Sequence, residues 1–258
     1  MKVYIASLKM HIKAILEYKQ SFLFGFITQF LILFSYYFVI ASLFTKFSNI
    51  KGFTLYEILL CFAVIQFGYA INEVFARGVD RFEQLIITGK FDQILVRPQN
   101  ILFQVICSEL NLIKFARAVQ AIIILIVALV NLDLTFDIYK LITLILMLIS
   151  AVIIFFAIFL LMASFCFVTI QGLEIRNVFT DGGKEMAQYP IGIFNKSFIF
   201  IFTFIIPYAF VNYYPLLYLL DKTTNKLYIF SPLVVFIFLI PSLLAFKQGI
   251  KRYSSIGS

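Results

Sequence analysis

"LITLILMLISAVIIFFAIFLLMASFCFVTI", residues 141–170, carries no charged residue, and how it is read decides how often the chain crosses a membrane. At about 1.5 Å per residue such a helix is about 45 Å long, against about 30 Å of bilayer hydrocarbon. It is too long for one upright crossing and too short for two crossings with a turn, so it reads as one tilted or protruding helix. The same yardstick, about 20 apolar residues per crossing, places candidate spans at 22–44, 55–76, 113–131, 139–170, 190–211 and 227–246. The expected fold is all-α: a polytopic membrane protein with six transmembrane helices.

Composition agrees. The 258 residues are 62% hydrophobic and 13% charged, far from the roughly 45–50% apolar and 25% charged of soluble domains. The net charge of +8 is placed beside the spans, where Lys and Arg report orientation; no nucleic-acid partner is expected. Cys61, Cys107 and Cys166 are scattered and read as packing residues, and the single His11 cannot make a metal site. The first apolar run is too long for a signal peptide and no small-residue cleavage site follows it.

Charge placement tests the span count. With both termini inside, the inner pieces gather Lys2, Lys9, Lys13, Lys19, Arg77, Arg81, Lys90, Arg97, Arg176, Lys184, Lys247, Lys251 and Arg252, while the outer pieces hold Lys46, Lys51, Lys140, Lys222 and Lys226. Lys114, Arg117 and Lys196 fall near the inner ends of spans 3 and 5, within snorkelling reach. Splitting 141–170 in two would put Lys247, Lys251 and Arg252 outside. The asymmetry favours an even number of spans with both ends cytoplasmic. Abundant Lys, Ile, Phe and Asn fit an AT-rich bacterial genome, so the expected location is a bacterial cytoplasmic membrane.

Residues 1–21 form an expected N-terminal unit, ahead of a membrane domain at 22–246 and a cytoplasmic tail at 247–258. Lys2, Lys9, Lys13, Glu17 and Gln20 share one stripe of a helix whose remaining surface is apolar, the pattern of an amphipathic helix lying in the membrane interface. Between spans 2 and 3, Val79, Phe82 and Ile86 recur at helical spacing up to Gly89, where a left-handed cap would end the helix. A second short helix, "FDQILV" (91–96), carries Asp92 in its first turn and must stop before Pro98. The product is a glycine elbow with one apolar side, facing the cytoplasm.

In "QVICSELNLIKFARAVQ" (104–120), Gln104, Ser108, Asn111, Lys114, Arg117 and Gln120 follow at steps of three or four along one expected helix. Two readings fit: Asn111, Lys114 and Arg117 form a polar cytoplasmic entrance, or the long cations snorkel at the inner boundary. In "TFIIPYAFVNYYPLLYLLDKTTNK" (203–226), Pro207 should kink or end span 5, and Tyr208, Tyr213, Tyr214 and Tyr218 belong at headgroup depth. The run 216–220 is too short to cross; it either dips back into the outer leaflet as a re-entrant segment or lies as an interfacial loop.

Every acidic residue lies outside a span or close to its end, which argues against an ion-coupled carrier, since that chemistry uses an ionisable group near mid-membrane. No nucleophile and base cluster, and "DGGKEM" (181–186) lacks the spacing and the Ser or Thr of a phosphate loop. Catalytic residues, a metal and a cofactor are therefore not expected in this chain, and nucleotide-driven work would be powered by another one. A non-transporting scaffold or sensor subunit remains a rival reading.

"GKFDQILVRP" (89–98) resembles the G-x-(F/L)-D-x-x-L-x-(R/K)-P segment of ABC-2 type exporter permeases, the class of the daunorubicin and viologen exporters. "YPIGIF" (189–194) and "FTFIIPYAFVNYYP" (202–215) are similar to later segments of the same permeases. The resemblance spans nearly the whole chain. It implies that the elbow is a coupling helix docking on a separate ABC ATPase subunit, which holds ATP and magnesium. It also implies pairing with a second copy or a related permease. By the same resemblance Gly89, Asp92, Arg97 and Pro98 form the coupling site, with Gly89 and Pro98 shaping it. Pro207, Asn212, Tyr213, Tyr214 and Pro215 form an outer gate, and membrane lipid or an amphipathic, drug-like or peptide cargo would move through a Phe- and Tyr-lined path.

Overall fold

The computed structural model describes residues 9–10, 12–13, 17–132, 134–135, 137–169 and 177–254. The unit expected over 1–21 falls largely outside them. All regular elements among the described residues are helical. Two long helices, α1 (Lys19–Phe44) and α2 (Leu55–Phe75), lead into four short ones: α3 (Arg77–Asp80), α4 (Phe82–Ile87), α5 (Lys90–Leu95) and α6 (Ile101–Ser108). Then come α7 (Phe115–Asn131) and α8 (Ile138–Phe165). The last third is interrupted, with α9 (Gly183–Ala187), α10 (Lys196–Phe200), α11 (Tyr214–Leu219), α12 (Leu227–Phe230) and the long α13 (Val234–Arg252).

Among the described residues, five stretches are long and apolar enough to cross a membrane: α1, α2, Leu112–Asn131, α8 and Leu227–Arg252. The run at 141–170 is thus served by one continuous helix, α8. The core forms around α2, which is buried along nearly its whole length. At Gly68 a Cβ would stand 2.4 Å from the Ala151 carbonyl carbon, so α2 and α8 meet backbone to backbone. One turn on, the Asn72 amide donates to the carbonyls of Gly68 and Val152 and locks that approach. By contrast α1 lies at the rim, with Phe24, Leu31 and Phe38 exposed.

Three expectations are corrected. The stretch placed as span 5 at 190–211 is not one crossing, because Lys196–Ile205 and Ala209–Leu219 bend by 94° at a break. Both ends of that bent pair sit against the same loop: Lys51 Nζ donates to the Ile193 carbonyl at 2.7 Å and Lys222 Nζ to the Gly52 carbonyl at 2.8 Å. The pair is therefore a hairpin that returns to the end of the bundle it left. Each limb is about 15 Å long, half of the hydrocarbon depth.

The chain instead changes ends between Phe167, which packs on Phe82 and Phe91, and Ile193. The described part of that passage is the helical run 177–187, carrying Asp181, Lys184 and Glu185. Those charges hide it from a hydropathy count, and one of them, Lys184, is buried against the bundle while Asp181 stays exposed. Lys184 is therefore not in a loop and Lys196 not at the inner end of span 5. The ionisable groups are partnered: Tyr69 donates its hydroxyl to Asp181 at 2.8 Å, and Lys184 Nζ lies 4.7 Å from the centre of the Tyr69 ring.

The single helix expected over 104–120 breaks as well. Glu109 is extended (φ −143°, ψ 127°), and a 3-10 turn at Leu112–Lys114 restarts the helix. The Asn111 N–H is satisfied by the Val74 carbonyl instead of an intrahelical partner. Helix α13 continues past Lys247 to Lys251 and Arg252, and the charges of these last two, in its final turn, suit the helix dipole.

Candidate functional site

The elbow forms as its residues dictate. Gly89 has φ +67°, a conformation costly for a side chain, and separates α4 from α5. Asp92 lies in the first turn of α5, which ends at Leu95, ahead of Pro98. Gln104 donates its amide to the carbonyls of Ile94 and Gln99 and pins α5 to α6. The apolar side, Val79, Phe82, Ile86, Phe91 and Ile94, is buried.

That buried side rests on an aromatic pad. Phe82 and Phe91 stack edge to face at 4.8 Å between ring centres, and both touch Phe167, just beyond α8, at 5.0 and 5.7 Å. Phe246 of α13 lies 5.3 Å from Phe82, and Tyr253 lies 5.0 Å from Phe91. The elbow thus leans on the ends of α8 and α13, not only on the helices it joins in sequence. Burial, and then the neighbouring Asp92 carboxylate, push the Tyr253 phenol up. Asp92 therefore faces inward, toward the pad.

Beside the pad is a charged hub. The Glu73 carboxylate, on the last turns of α2, meets Arg117 at 2.7 Å, Arg77 at 3.3 Å and Lys114 at 3.5 Å. Arg77 also meets Asp80 at 2.8 Å, and Glu109 bridges Arg77 at 4.0 Å and Arg81 at 3.6 Å. The hub ties α2, α3 and the break before α7 into one unit. Of the expected entrance residues, Lys114 and Arg117 converge on Glu73, while Asn111 holds the break. Glu73 was missed by sequence reasoning. Its i, i+4 spacing to Arg77 was a readable signal, but its meeting with Arg117 across 44 positions was not.

The elbow's other side is open. A cavity of about 490 Å³ is lined by Gly78, Arg81, Gln84, Thr88, Lys90, Gln93, Arg97, Ser108 and Glu109, among others. Arg97 and Pro98 are exposed here. Arg97 and Asp92 therefore occupy opposite sides of one short element.

At the far end the structure gathers four of the five expected gate residues and sets Pro207 apart. Pro207 follows the extended Ile206 at the bend of the hairpin. Tyr208 is fully buried there, against Phe155 and Phe202, and not at headgroup depth, because the bend is the deep tip of the hairpin. Asn212 is buried and its amide donates to the Ala187 carbonyl. Tyr213 packs on Phe53 and Tyr214, and Pro215 sits in the first turn of α11. Ion pairs hold the hairpin's return: Lys140 to Asp221 at 2.6 Å and Lys222 to Glu57 at 2.8 Å.

Among the described residues the elbow end and the hairpin end are built of packed aromatic rings and ion pairs. Residues 30–257 match the family described as ABC-2 family transporter protein. The chain belongs to the ABC-2 transporter family. No curated protein matches it, and no solved structure does. This ABC-2 chain is accordingly a multi-pass membrane protein and a permease-type transport subunit. Within the ABC-2 match fall the elbow, the hub, the pad and the hairpin.

Proposed function

We propose that this chain is the transmembrane subunit of an ATP-driven exporter. Two permeases, copies of this chain or a related pair, enclose a central path, and two ABC ATPase subunits holding ATP and magnesium dock on the elbow from the cytoplasm. Gly89, Asp92, Arg97 and Pro98 make the coupling site: Gly89 and Pro98 set its shape, Asp92 braces it against Tyr253, and Arg97 faces the partner. The hairpin at 196–219, with Pro207 at its tip, is the outer gate, and Asn111, Lys114 and Arg117 stand at the cytoplasmic entrance. The orientation this requires is both termini inside a bacterial cytoplasmic membrane. A cargo with apolar bulk suits a path rich in Phe and Tyr.

The observation that carries this reading is the aromatic pad: an elbow open to water on one side rests its other side on the ends of α8 and α13. A push on the elbow therefore reaches helices remote in sequence. The test is reconstitution with the ATPase and ATP, comparing the natural chain with Phe91→Ala. The variant should keep ATPase association while transport per ATP falls about 5–150-fold, the span of ordinary coupling free energies; Phe91→Leu, which keeps most of the volume, should restore much of it. Transport driven by an ion gradient without ATPase, or a stable complex that moves no cargo, would overturn the exporter reading.

A further inference from the structure

We propose that the open cavity of the elbow is a socket for an acidic side chain of the ATPase partner, so that cations on the permease select the partner. This rests on the coupling role proposed above. The cavity presents Arg81, Lys90 and Arg97. Among the described residues of its lining there is one carboxylate, Glu109, and it already meets Arg81 and Arg77. The other acids of the elbow lie elsewhere: Asp80 meets Arg77, Asp92 faces Tyr253, and Glu83 is buried. Positive charge is therefore in excess at the mouth, where Gln84, Gln93 and Thr88 add polar groups able to donate to an anion.

Size and stiffness point the same way. About 490 Å³ far exceeds the roughly 30 Å³ of one water, so the cavity admits a side chain and not merely a bound ion. Its floor is fixed. At Gly78 a Cβ would stand 2.0 Å from the Val105 carbonyl oxygen, so α3 and α6 touch through their backbones. A carboxylate entering this socket as the partner closes over it would be shielded from water, where charge pairs gain strength over exposed ones.

The experiment uses the full chain in neutral-lipid nanodiscs and the ABC ATPase subunits of the same cell, each first tested for association with the natural chain. Lys90 and Arg97 are exposed, so Lys90→Glu/Arg97→Glu should fold normally, shown by an unchanged melting midpoint. Association should weaken on the order of 100-fold, Lys90→Arg/Arg97→Lys should keep it, and rising salt should weaken the natural pair. An Asp or Glu to Lys change on the ATPase should restore binding to the reversed variant. If the natural chain binds the ATPase and the reversed variant binds it equally well, the socket is wrong while the coupling role stands. If the natural chain binds no ATPase, both fail. If phosphatidylglycerol in the nanodisc, and no ATPase charge swap, responds to the reversal, the cavity is a lipid headgroup site and the socket is overturned.

Discussion

Glu73→Gln is the sharpest perturbation of the charged hub. The Glu73 side chain is 4% exposed and holds three cations that are themselves 12–16% exposed. Removing the charge leaves them unequally provided for. Arg77 keeps Asp80 at 2.8 Å, and Lys114 keeps the Gln29 amide oxygen at 3.2 Å, whereas Arg117 loses its 2.7 Å contact. Breaking a buried pair from one side costs about 3–5 kcal/mol, because the surviving charge stays desolvated. With about 2–4 °C lost per kcal/mol in a chain of this size, the melting midpoint should fall by about 6–20 °C. Removing the stranded charge too, in Glu73→Gln/Arg117→Met, should recover at least half of that loss, a coupling a double-mutant cycle measures directly. The chain has no Trp, so melting is followed with a thiol-reactive dye on the buried Cys61 and Cys107 in a Cys166→Ala background. Burial pushes the Cys107 thiol up, which keeps its reactive thiolate scarce until the bundle opens. A Glu73→Gln midpoint within a degree or so of the parent, or a double variant no better than the single one, would show that the hub does not hold the elbow end together.

Two further outcomes are expected. Lys196→Cys should react with a membrane-impermeant maleimide from the same side as Lys51→Cys and from the opposite side to Lys90→Cys; labelling of Lys196→Cys together with Lys90→Cys would restore the single crossing at 190–211. Gly89→Ala should cost about 1–2 kcal/mol, the penalty of left-handed backbone with a side chain. Nothing stands within 4 Å of a Cβ there, so the cost is conformational and Gly89→Asn should recover part of it; an unchanged melting midpoint for Gly89→Ala would refute it.

The elbow was the most legible part of the sequence. Gly89, Asp92 and Pro98 act locally, through backbone conformation and helix ends, and local rules name their positions. The long apolar helices were legible for the same reason, since length and hydropathy are properties of a single segment. Residues 177–187 escaped because Asp181, Lys184 and Glu185 obey another logic: Tyr69, from a different helix, donates its hydroxyl to Asp181 and sets its ring under Lys184, which in turn pairs with Glu185. Once that crossing is missed, the hydropathy of 190–211 fills the gap and Tyr208 lands at the wrong depth. The pad was illegible in a different way, for it assembles Phe82, Phe91, Phe167, Phe246 and Tyr253 from four separate stretches, and no spacing rule links them.

Helix α2 has Glu57 near one terminus, bonded to Lys222 where the hairpin comes back, and Glu73 near the other, inside the hub. Between them runs about 24 Å of unbroken helix, free of proline and therefore stiff along its axis. It behaves like the stem of a piston valve: a shift of a few ångström at one terminus arrives at the other nearly undiminished, with no relay of side chains in between.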